Sequence, residues 1–260
     1  MDRTSDPREI TLSAHRDYYN AGGYDDDRLA WTLATFLSDI KPEKILEVGC
    51  GNGAMLNLLA QKGIDAIGVD ASSSGIALCQ NKGFHAQCLD ISTEGLPFPD
   101  DFFDVVISLE TFEHLMNPHY ALMEVRRVLR LGGRFICSVP NPRTGHPYLY
   151  PGLFEYVNFR RFLLQNNLSI EQVAPWQWAP RESILPVSLR RFRLLRSRAV
   201  AGGIRYVIEK MYLAVGAFPA FSYWLWTFKC RNDKSSEPGI FREVSEQTRP
   251  GATKHFSVSK

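Results

Sequence analysis

The stretch ILEVGCGNG, residues 45–53, decides the fold of this chain. Its apolar start predicts a buried strand, and its glycines predict a sharp turn at which the backbone can approach a ligand without a clash from Cβ. The next segment, AMLNLLAQKG (54–63), predicts a helix that ends at a glycine. A strand that turns over a glycine loop into a helix is typical of doubly wound α/β sheets, which bind their ligands at such turns.

Strand and helix patterns alternate along the rest of the chain. Residues 1–43 predict N-terminal helices, and we expect Gly132-Gly133 to end a later helix just before a strand. Apolar strands that alternate with helices predict a mostly parallel sheet covered on both faces, a doubly wound (Rossmann-like) α/β fold. The predicted strands span 44–49, 66–70, 84–90, 104–110, 134–140, 169–175 and 222–231, and the predicted helices between them span 54–63, 72–83, 117–130 and 154–167.

The composition indicates one large domain with an elaboration. The chain has 260 residues, of which 45% are hydrophobic and 22% charged, so it can bury a core without a metal or a disulfide. The net charge of +2 conceals an asymmetry. Residues 1–180 carry 15 Lys and Arg against 22 Asp and Glu, whereas residues 181–260 carry 15 against 6. We therefore expect the two parts to serve different tasks.

The cysteines and the N-terminus indicate the compartment. Five cysteines are an odd number, and none stands in a C-x-x-C pair or at zinc-binding spacing with a histidine, so we expect reduced thiols and a cytoplasmic protein. The polar start, MDRTSDPREI, predicts no signal peptide. Residues 211–228 carry no charge, but they only reach the lower limit for a membrane span and contain Pro219, so we expect no span.

The glycine loop and Asp70 indicate a nucleoside ligand. Asp70 ends the second predicted strand, 21 residues after Gly49, where its carboxylate can accept hydrogen bonds from both hydroxyls of a ribose. The letters Gly49-x-Gly51-x-x-Ala54 followed by Asp70 also match the dinucleotide fingerprint. The glycines by themselves therefore leave NAD and another nucleoside ligand as alternatives.

Five motifs in order give the chain a family resemblance. They resemble class I S-adenosylmethionine-dependent methyltransferases, in particular the small-molecule branch similar to the quinone-biosynthesis methyltransferases. The likeness covers residues from about 40 to 175, and residues 222–231 resemble the last, antiparallel strand of that fold. The motifs are ILEVGCGNG (45–53), GVD (68–70), Asp90 at the end of the third strand, FDVVISLETFEHL (103–115) and RVLRLGGRFICSVPN (127–141).

The resemblance also implies how the chain is divided. It implies a seven-stranded, mostly parallel sheet with a helical insertion before the last, antiparallel strand. The N-terminal helices at 1–43 would form a lid, and residues 44–231 would form the methyltransferase domain with its basic insert at about 180–220. Residues 232–260 are polar and contain prolines and glycines, which predicts a disordered tail.

The resemblance implies that the protein binds S-adenosylmethionine and releases S-adenosylhomocysteine. Two features favour this donor over NAD, namely an acidic residue two places before the first glycine and the sequence Glu-Thr-Phe-Glu-His (110–114) after the fourth strand. The implied donor contacts are Glu47 for the amine, Gly49, Gly51 and Gly53 along the homocysteine part, Leu109 and Glu110 beside the methionine end, Asp70 for the ribose, Ala71 and Ile91 against the adenine ring, and Asp90 for the adenine amino group.

Two histidines are candidates for the chemistry. His114 would lie near the methyl group, and an ordinary imidazole pKa near 6.5 suits a general base for a hydroxyl nucleophile. The alternative is that His114 only orders the start of a helix or packs against the donor. His146 could reach the acceptor from the loop after strand five, whereas we expect His119 at the surface. The sequence contains no recognisable metal-ligand cluster or nucleophilic triad, so we expect metal-independent transfer.

The insert carries most of the positive charge. Residues 181–210 hold eight basic against two acidic side chains, interleaved with apolar ones. One interpretation is a lid over the acceptor pocket with a solvated basic face. A second is an amphipathic surface at 181–226 that contacts anionic membrane peripherally and delivers a lipid-like acceptor. Nucleic acid is disfavoured as a partner, because the fourth strand lacks the Asn/Asp-Pro-Pro-aromatic motif of amino-methylating nucleic-acid enzymes.

The resemblance therefore implies a methyltransferase that acts on a small apolar or aromatic acceptor, with oxygen as the favoured methyl acceptor. Two rivals stay open. The first is an NAD-dependent oxidoreductase that uses the same glycine loop. The second is a non-catalytic, membrane-associated protein that only binds the donor.

Overall fold

A seven-stranded sheet organises residues 26–142, 149–178, 207 and 223–233, which the computed structural model describes. The strands are β1 (Ile45–Val48), β2 (Ala66–Asp70), β3 (His85–Cys88), β4 (Phe103–Leu109), β5 (Leu129–Pro140), β6 (Leu168–Trp178) and β7 (Tyr223–Asn232). The helices are α1 (Asp26–Phe36), α2 (Ala54–Gln61), α3 (Ser73–Asn81), α4 (Pro118–Val128) and α5 (Tyr156–Gln165), with a short 3₁₀ helix at Phe112–His114.

The strand order confirms the predicted doubly wound fold. The order is β3-β2-β1-β4-β5-β7-β6, and all neighbours from β3 to β5 run parallel. Strand β7 lies between β5 and β6 and is antiparallel to both, as the resemblance implied. The chain order reverses between β1 and β4, and ligands of doubly wound sheets bind outside the carboxyl ends of the strands at such a point.

Each face of the sheet buries its own layer of side chains. One face packs against α4 and α5 through residues such as Leu122, Val125 and Phe159. The other face packs against α1 and α2 through residues such as Leu33 and Met55. Strands β1 and β4 are buried along their whole length, which explains their near-continuous apolar sequences.

Polar contacts hold α1 and the residues after it on the sheet. The ammonium of Lys229 on β7 is only 4% exposed and lies 2.7 Å from a carboxylate oxygen of Asp39. The side-chain amide of Gln172 on β6 donates to the carbonyl of Thr35 at 3.3 Å. A buried ammonium needs a partner, so these contacts fix how the N-terminal segment crosses β6 and β7.

One local prediction is wrong. The glycines at 132 and 133 do not end α4, which stops at Val128, and β5 already begins at Leu129. Leu129 is fully buried and pairs with Phe103, and the pairing register shifts between Phe103 and Val105. Gly132 has φ of +74°, so the glycines serve an irregularity inside the strand rather than the end of the helix.

Several expectations fall on residues outside the described part of the chain. These are most of the basic insert, the loop that contains His146, residues 1–25 of the lid, and the tail from residue 234. Among the described residues, no helix is both long and apolar enough to cross a membrane. The end of the uncharged stretch at 211–228 lies in strand β7.

Arg127 on α4 holds the long connection between β3 and β4. Its guanidinium donates to the carbonyls of Leu96 and Phe98 at 2.8 and 2.9 Å and to the carboxylate of Glu124 at 2.8 Å. Glu124 also accepts from the amide of Leu96 at 2.8 Å. The hydrogen bond from Arg127 holds the pKa of Glu124 below its ordinary value of 4.5.

We predict that Arg127→Leu lowers the free energy of unfolding by about 2–4 kcal/mol at pH 7, because two carbonyls and a mostly buried carboxylate lose their donor. A lowered carboxyl pKa stabilises the fold above the unfolded value of 4.5 and loses that effect as the pH falls through the folded value. The difference in the free energy of unfolding between wild type and variant should therefore be smaller at pH 3 than at pH 7. Urea unfolding at both pH values measures this difference. Arg161→Leu is the control, since that exposed side chain has only a 3.4 Å contact with Asn158.

Candidate functional site

The glycine loop turns sharply between β1 and α2. Gly49, Gly51 and Gly53 have φ angles of +80°, +51° and +80°, in the left-handed region that side chains other than glycine rarely adopt. A Cβ atom at Gly49 would lie 2.1 Å from the hydroxyl oxygen of Thr111. Glycine is therefore required at position 49 by its backbone angle and by the close approach of the β4 end.

Thr111 joins the loop after β4 to the end of β1. Its hydroxyl lies 3.3 Å from the carbonyl oxygen of Val48 and 3.1 Å from that of Leu109, so its proton can bond either one. The amide of Gly49 in turn donates to the carbonyl of Val69 at 2.8 Å. These bonds bring the carboxyl ends of three neighbouring strands to one edge, where the sequence predicts the donor.

Asp70 joins the two loops that the nucleoside would lie between. One oxygen of its buried carboxylate accepts from the amide of Gly51 at 2.8 Å, and the other accepts from the amide of Ser72 at 2.7 Å. The sequence predicts that Asp70 binds a ribose, and this prediction stays untested. The structure adds a second task, because the same carboxylate holds the β1–α2 and β2–α3 loops in place.

Glu47 is a buried carboxylate directly below the glycine loop. The residue is 5% exposed, and its Oε2 atom has no hydrogen-bond partner among the described residues. Burial raises the pKa of Glu47 well above its ordinary value, and the nearby Cys79 and Asp70 add to the effect. An incoming cation would satisfy the oxygen and favour the charged form, so the amine of a methionine moiety fits this position.

The residues predicted to contact adenine lie at the ends of β2 and β3. Ala71 is exposed, while Ile91 is only 4% exposed and belongs to the hydrophobic core. The carboxylate of Asp90 accepts from the amide of Ser92 at 2.9 Å and so orders the turn after β3. The amide of Leu89 donates to the carbonyl of Asp70 at 2.9 Å, which keeps the two strand ends together.

An ion pair that the sequence did not predict lies at the predicted methionine end of the site. Arg28 of α1 pairs with Glu110, which directly follows β4 and has φ of +49°. Arg28 is only 7% exposed, and the neighbouring Leu109 packs among the apolar residues of α1 and α2. A lone arginine on the apolar side of a helix was the signal in the sequence, but only the fold brings it to Glu110.

His114 lies in the 3₁₀ helix after β4, beside a buried acid. Its Nε2 atom is 3.8 Å from a carboxylate oxygen of Glu113, whose side chain is fully buried. Burial raises the pKa of Glu113 to about 8, and the charge of Arg28 opposes this shift. His119 is exposed, as expected, and its ring meets the edge of Phe162 at 4.8 Å.

Within the described residues, no three His, Cys, Asp or Glu side chains are placed to hold a metal ion. The five cysteines are free thiols, and four of them are buried. The described part of the site is therefore a glycine turn flanked by the acids Glu47 and Asp70, with the pair of Arg28 and Glu110 and the pair of Glu113 and His114 beyond it.

Residues 46–137 match the family model described as "Methyltransferase domain". A fatty-acid O-methyltransferase of Mycolicibacterium smegmatis is 35% identical over 114 residues, which are 42% of this chain and 42% of that protein. A ubiquinone biosynthesis O-methyltransferase of Maricaulis maris is 37% identical over 106 residues, which are 38% of this chain and 41% of that protein. The chain thus spans less than half the length of these curated relatives.

A solved structure extends the likeness in fold. A SAM-dependent methyltransferase from Archaeoglobus fulgidus covers 79% of this chain and 92% of its own, with a TM-score of 0.56 and 19% identity. The match at this identity concerns the fold alone. Together with the family model, it confirms the resemblance stated from the sequence for the segment that contains the glycine loop, Asp70 and the end of β4.

We predict that Gly49→Ala destabilises the protein more than Gly63→Ala. Both glycines have a left-handed backbone, at φ of +80° and +71°, so both variants lose about 1 kcal/mol for that reason. A Cβ at Gly63 meets no atom within 4 Å, whereas a Cβ at Gly49 collides with Thr111. The collision should cost a further 1–3 kcal/mol, roughly the penalty for overpacking, in urea unfolding. Equal losses in the two variants would contradict the close approach.

Proposed function

We propose that this chain, whose residues 46–137 carry a methyltransferase domain, moves a methyl group from S-adenosylmethionine to a small acceptor. The observation that carries the proposal is the buried carboxylate of Glu47 with its unpartnered oxygen below the glycine turn. A cationic amine at that position gains a charge-assisted hydrogen bond. The pyrophosphate of NAD, which lies at this turn in dinucleotide-binding folds, offers no cation to Glu47, and this disfavours the oxidoreductase alternative.

The chain's own residues would bind and align the reactants. Glu47 would accept from the amine, the glycine turn would lie along the homocysteine part, and Asp70 would face the ribose. Ala71, Ile91 and Asp90 would lie at the adenine end, with Leu109 and Glu110 at the methionine end. Arg28 lies opposite Glu110 and is therefore placed for the donor's carboxylate. The donor itself supplies an activated methyl group on a sulfonium, so alignment and removal of water are the protein's main tasks.

The favoured acceptor atom is oxygen. Two relatives that share the matched segment are O-methyltransferases by name, of a fatty acid and of ubiquinone biosynthesis. A hydroxyl acceptor must lose a proton, and His114 beside the mouth of the site is our candidate base. His146 stays a second candidate that lies outside the described residues. We retain the prediction that transfer needs no metal, and turnover in the presence of EDTA tests it.

Part of the chain that the sequence suggests for acceptor binding lies outside the described residues. We retain an apolar or aromatic small molecule as the acceptor, and peripheral contact of 181–226 with anionic membrane as the route for a lipid-like one. A second function, donor binding without catalysis, is favoured if donor binding is measured but no acceptor in a panel of phenols, quinols and fatty acids is methylated.

We predict that S-adenosylhomocysteine raises the melting temperature and that NAD does not. Glu47→Gln should weaken binding of S-adenosylhomocysteine about 10- to 100-fold, because a charge-assisted hydrogen bond to the amine is lost. The raised pKa of Glu47 makes wild-type affinity increase with pH, since the carboxyl must lose its proton to bind the cation. This dependence should be absent in the variant. Calorimetric titration from pH 5 to 8 measures both effects.

Glu43→Gln is the matched control for that experiment, because Glu43 is exposed and precedes the same strand. Its affinity for S-adenosylhomocysteine and its pH dependence should equal those of the wild type. Stabilisation by NAD alone would overturn the proposed function.

We predict that His114→Gln lowers turnover about 10²- to 10⁴-fold between pH 6 and 8 while leaving affinity for S-adenosylhomocysteine within a factor of three, as expected for loss of a general base. His119→Gln should keep full turnover, because that side chain is exposed on α4. The assay uses whichever acceptor of the panel is methylated. Full turnover of His114→Gln across this range would show that His114 is not the base.

A further inference from the structure

Two neighbouring buried hydroxyls have no hydrogen-bond partner in the part of the chain that the structure describes. Ser138 on β5 is 3% exposed and Thr227 on β7 is 1% exposed. The hydroxyl oxygen of each is buried, and neither bonds any other group among the described residues. The two residues pair directly across the β5–β7 ladder, so their side chains stand next to each other on one face of the sheet.

That face is the one that α1 covers. Ser138 pairs with Leu109 on β4, and Leu109 packs with the apolar residues of α1 and α2. Thr227 alternates with Trp226 and Phe228, which belong to the core under α4 and α5, so Thr227 points to the other side. The hydroxyl pair therefore lies in one row with Leu109, beneath the N-terminal helix.

The row is continuous with the candidate site. The amide of Glu110 donates to the carbonyl of Ser138 at 3.0 Å. Ser138 therefore lies on the strand next to β4, and the end of β4 is the predicted methionine end of the site. On the other side, Thr227 pairs with Ala174 on β6. Helix α1 contacts the sheet on both sides of these residues. Arg28 of α1 pairs with Glu110 after β4, and Trp31 of α1 packs against Trp176 on β6.

Two indoles lie further along the same face of the sheet. Trp176 lies two residues beyond Ala174 on the same face of β6, and its ring centroid is 4.9 Å from that of Trp31. Both indoles are half-buried. Two hydroxyls and two indoles on one face of the sheet suit a planar ligand that carries an oxygen, since the indole rings can pack on its faces and the hydroxyls can bond its polar edge.

We propose that Ser138 and Thr227 form the polar end of the acceptor subsite and bind an oxygen atom of a planar acceptor, with Trp31 and Trp176 against its ring. A buried hydroxyl without a hydrogen-bond partner destabilises a fold, so a protein that keeps two of them side by side loses stability unless a ligand uses them. The assignment rests on the proposed function, because only a methyl-transfer reaction requires an acceptor beside the methionine end.

The test uses 4-ethylphenol as the probe and ethylbenzene as the same molecule without the hydroxyl. Ligand-observed NMR titration of the full chain, with and without saturating S-adenosylhomocysteine, gives both affinities. We expect 4-ethylphenol to bind the wild type, and Ser138→Ala and Thr227→Val each to weaken it about 5- to 10-fold, the loss of one hydrogen bond. Ethylbenzene should bind wild type and variants equally.

Ser108→Ala is the matched control. Ser108 is fully buried, and its hydroxyl also has no hydrogen-bond partner among the described residues. Because Ser108 directly precedes Leu109 on β4, its side chain faces the opposite side of the sheet. This variant should bind 4-ethylphenol like the wild type. Thermal melting should place all three variants at or above the wild-type melting temperature, because removing an unpartnered hydroxyl does not destabilise a fold.

Three results would overturn the assignment. The first is that 4-ethylphenol does not bind the wild type, and the second is that it binds wild type, Ser138→Ala and Thr227→Val equally. The third is a clear fall in the melting temperature of both variants, which would indicate that the two hydroxyls hold a structural water instead of a ligand. Affinity for S-adenosylhomocysteine is measured separately by calorimetry. If that ligand fails to bind, the proposed function is wrong; if it binds and the phenol does not, only the subsite is wrong.

Discussion

The carboxylate of Asp70 is the contact on which the geometry of the candidate site depends. It accepts from the amides of Gly51 and Ser72, which belong to different loops, and so fixes the distance between the β1–α2 turn and the start of α3. The loops have little freedom elsewhere, because a Cβ at Gly75 would lie 2.7 Å from the carbonyl oxygen of Gly51. One side chain thus holds two helix starts together at the same edge of the sheet.

The same contact explains the electrostatics beside it. Asp70 has two backbone donors, whereas Glu47 has an oxygen without a partner among the described residues and a pKa raised by burial and, to a lesser extent, by Cys79 and Asp70. A cationic group placed beside Glu47 would favour the charged form of its carboxylate. The acidic excess of residues 1–180 in the sequence therefore has a local counterpart at the place where a cationic amine would bind.

The sequence predicted the sheet well because its signals are local. Glycines at 49, 51 and 53 mark a turn that only left-handed angles allow, and the apolar runs beside them can only be buried strands. The signal was misleading at 132 and 133, where a glycine pair is compatible with a helix end and with an irregular strand. The pairs of Arg28 with Glu110 and of Ser138 with Thr227 were beyond sequence reasoning, since each depends on strand order and register between distant segments.

Helix α1 connects these parts of the molecule. It meets the predicted donor side through Arg28 and Glu110, and the segment that follows it meets β7 through Asp39 and the buried ammonium of Lys229. Between these anchors it covers the row that contains Ser138 and Thr227. A helix held at both ends over the sheet cannot shift at one end without straining the other, because the buried Lys229 would lose its partner. Helix α1 therefore ties the predicted methionine end to the strands beneath the proposed acceptor subsite.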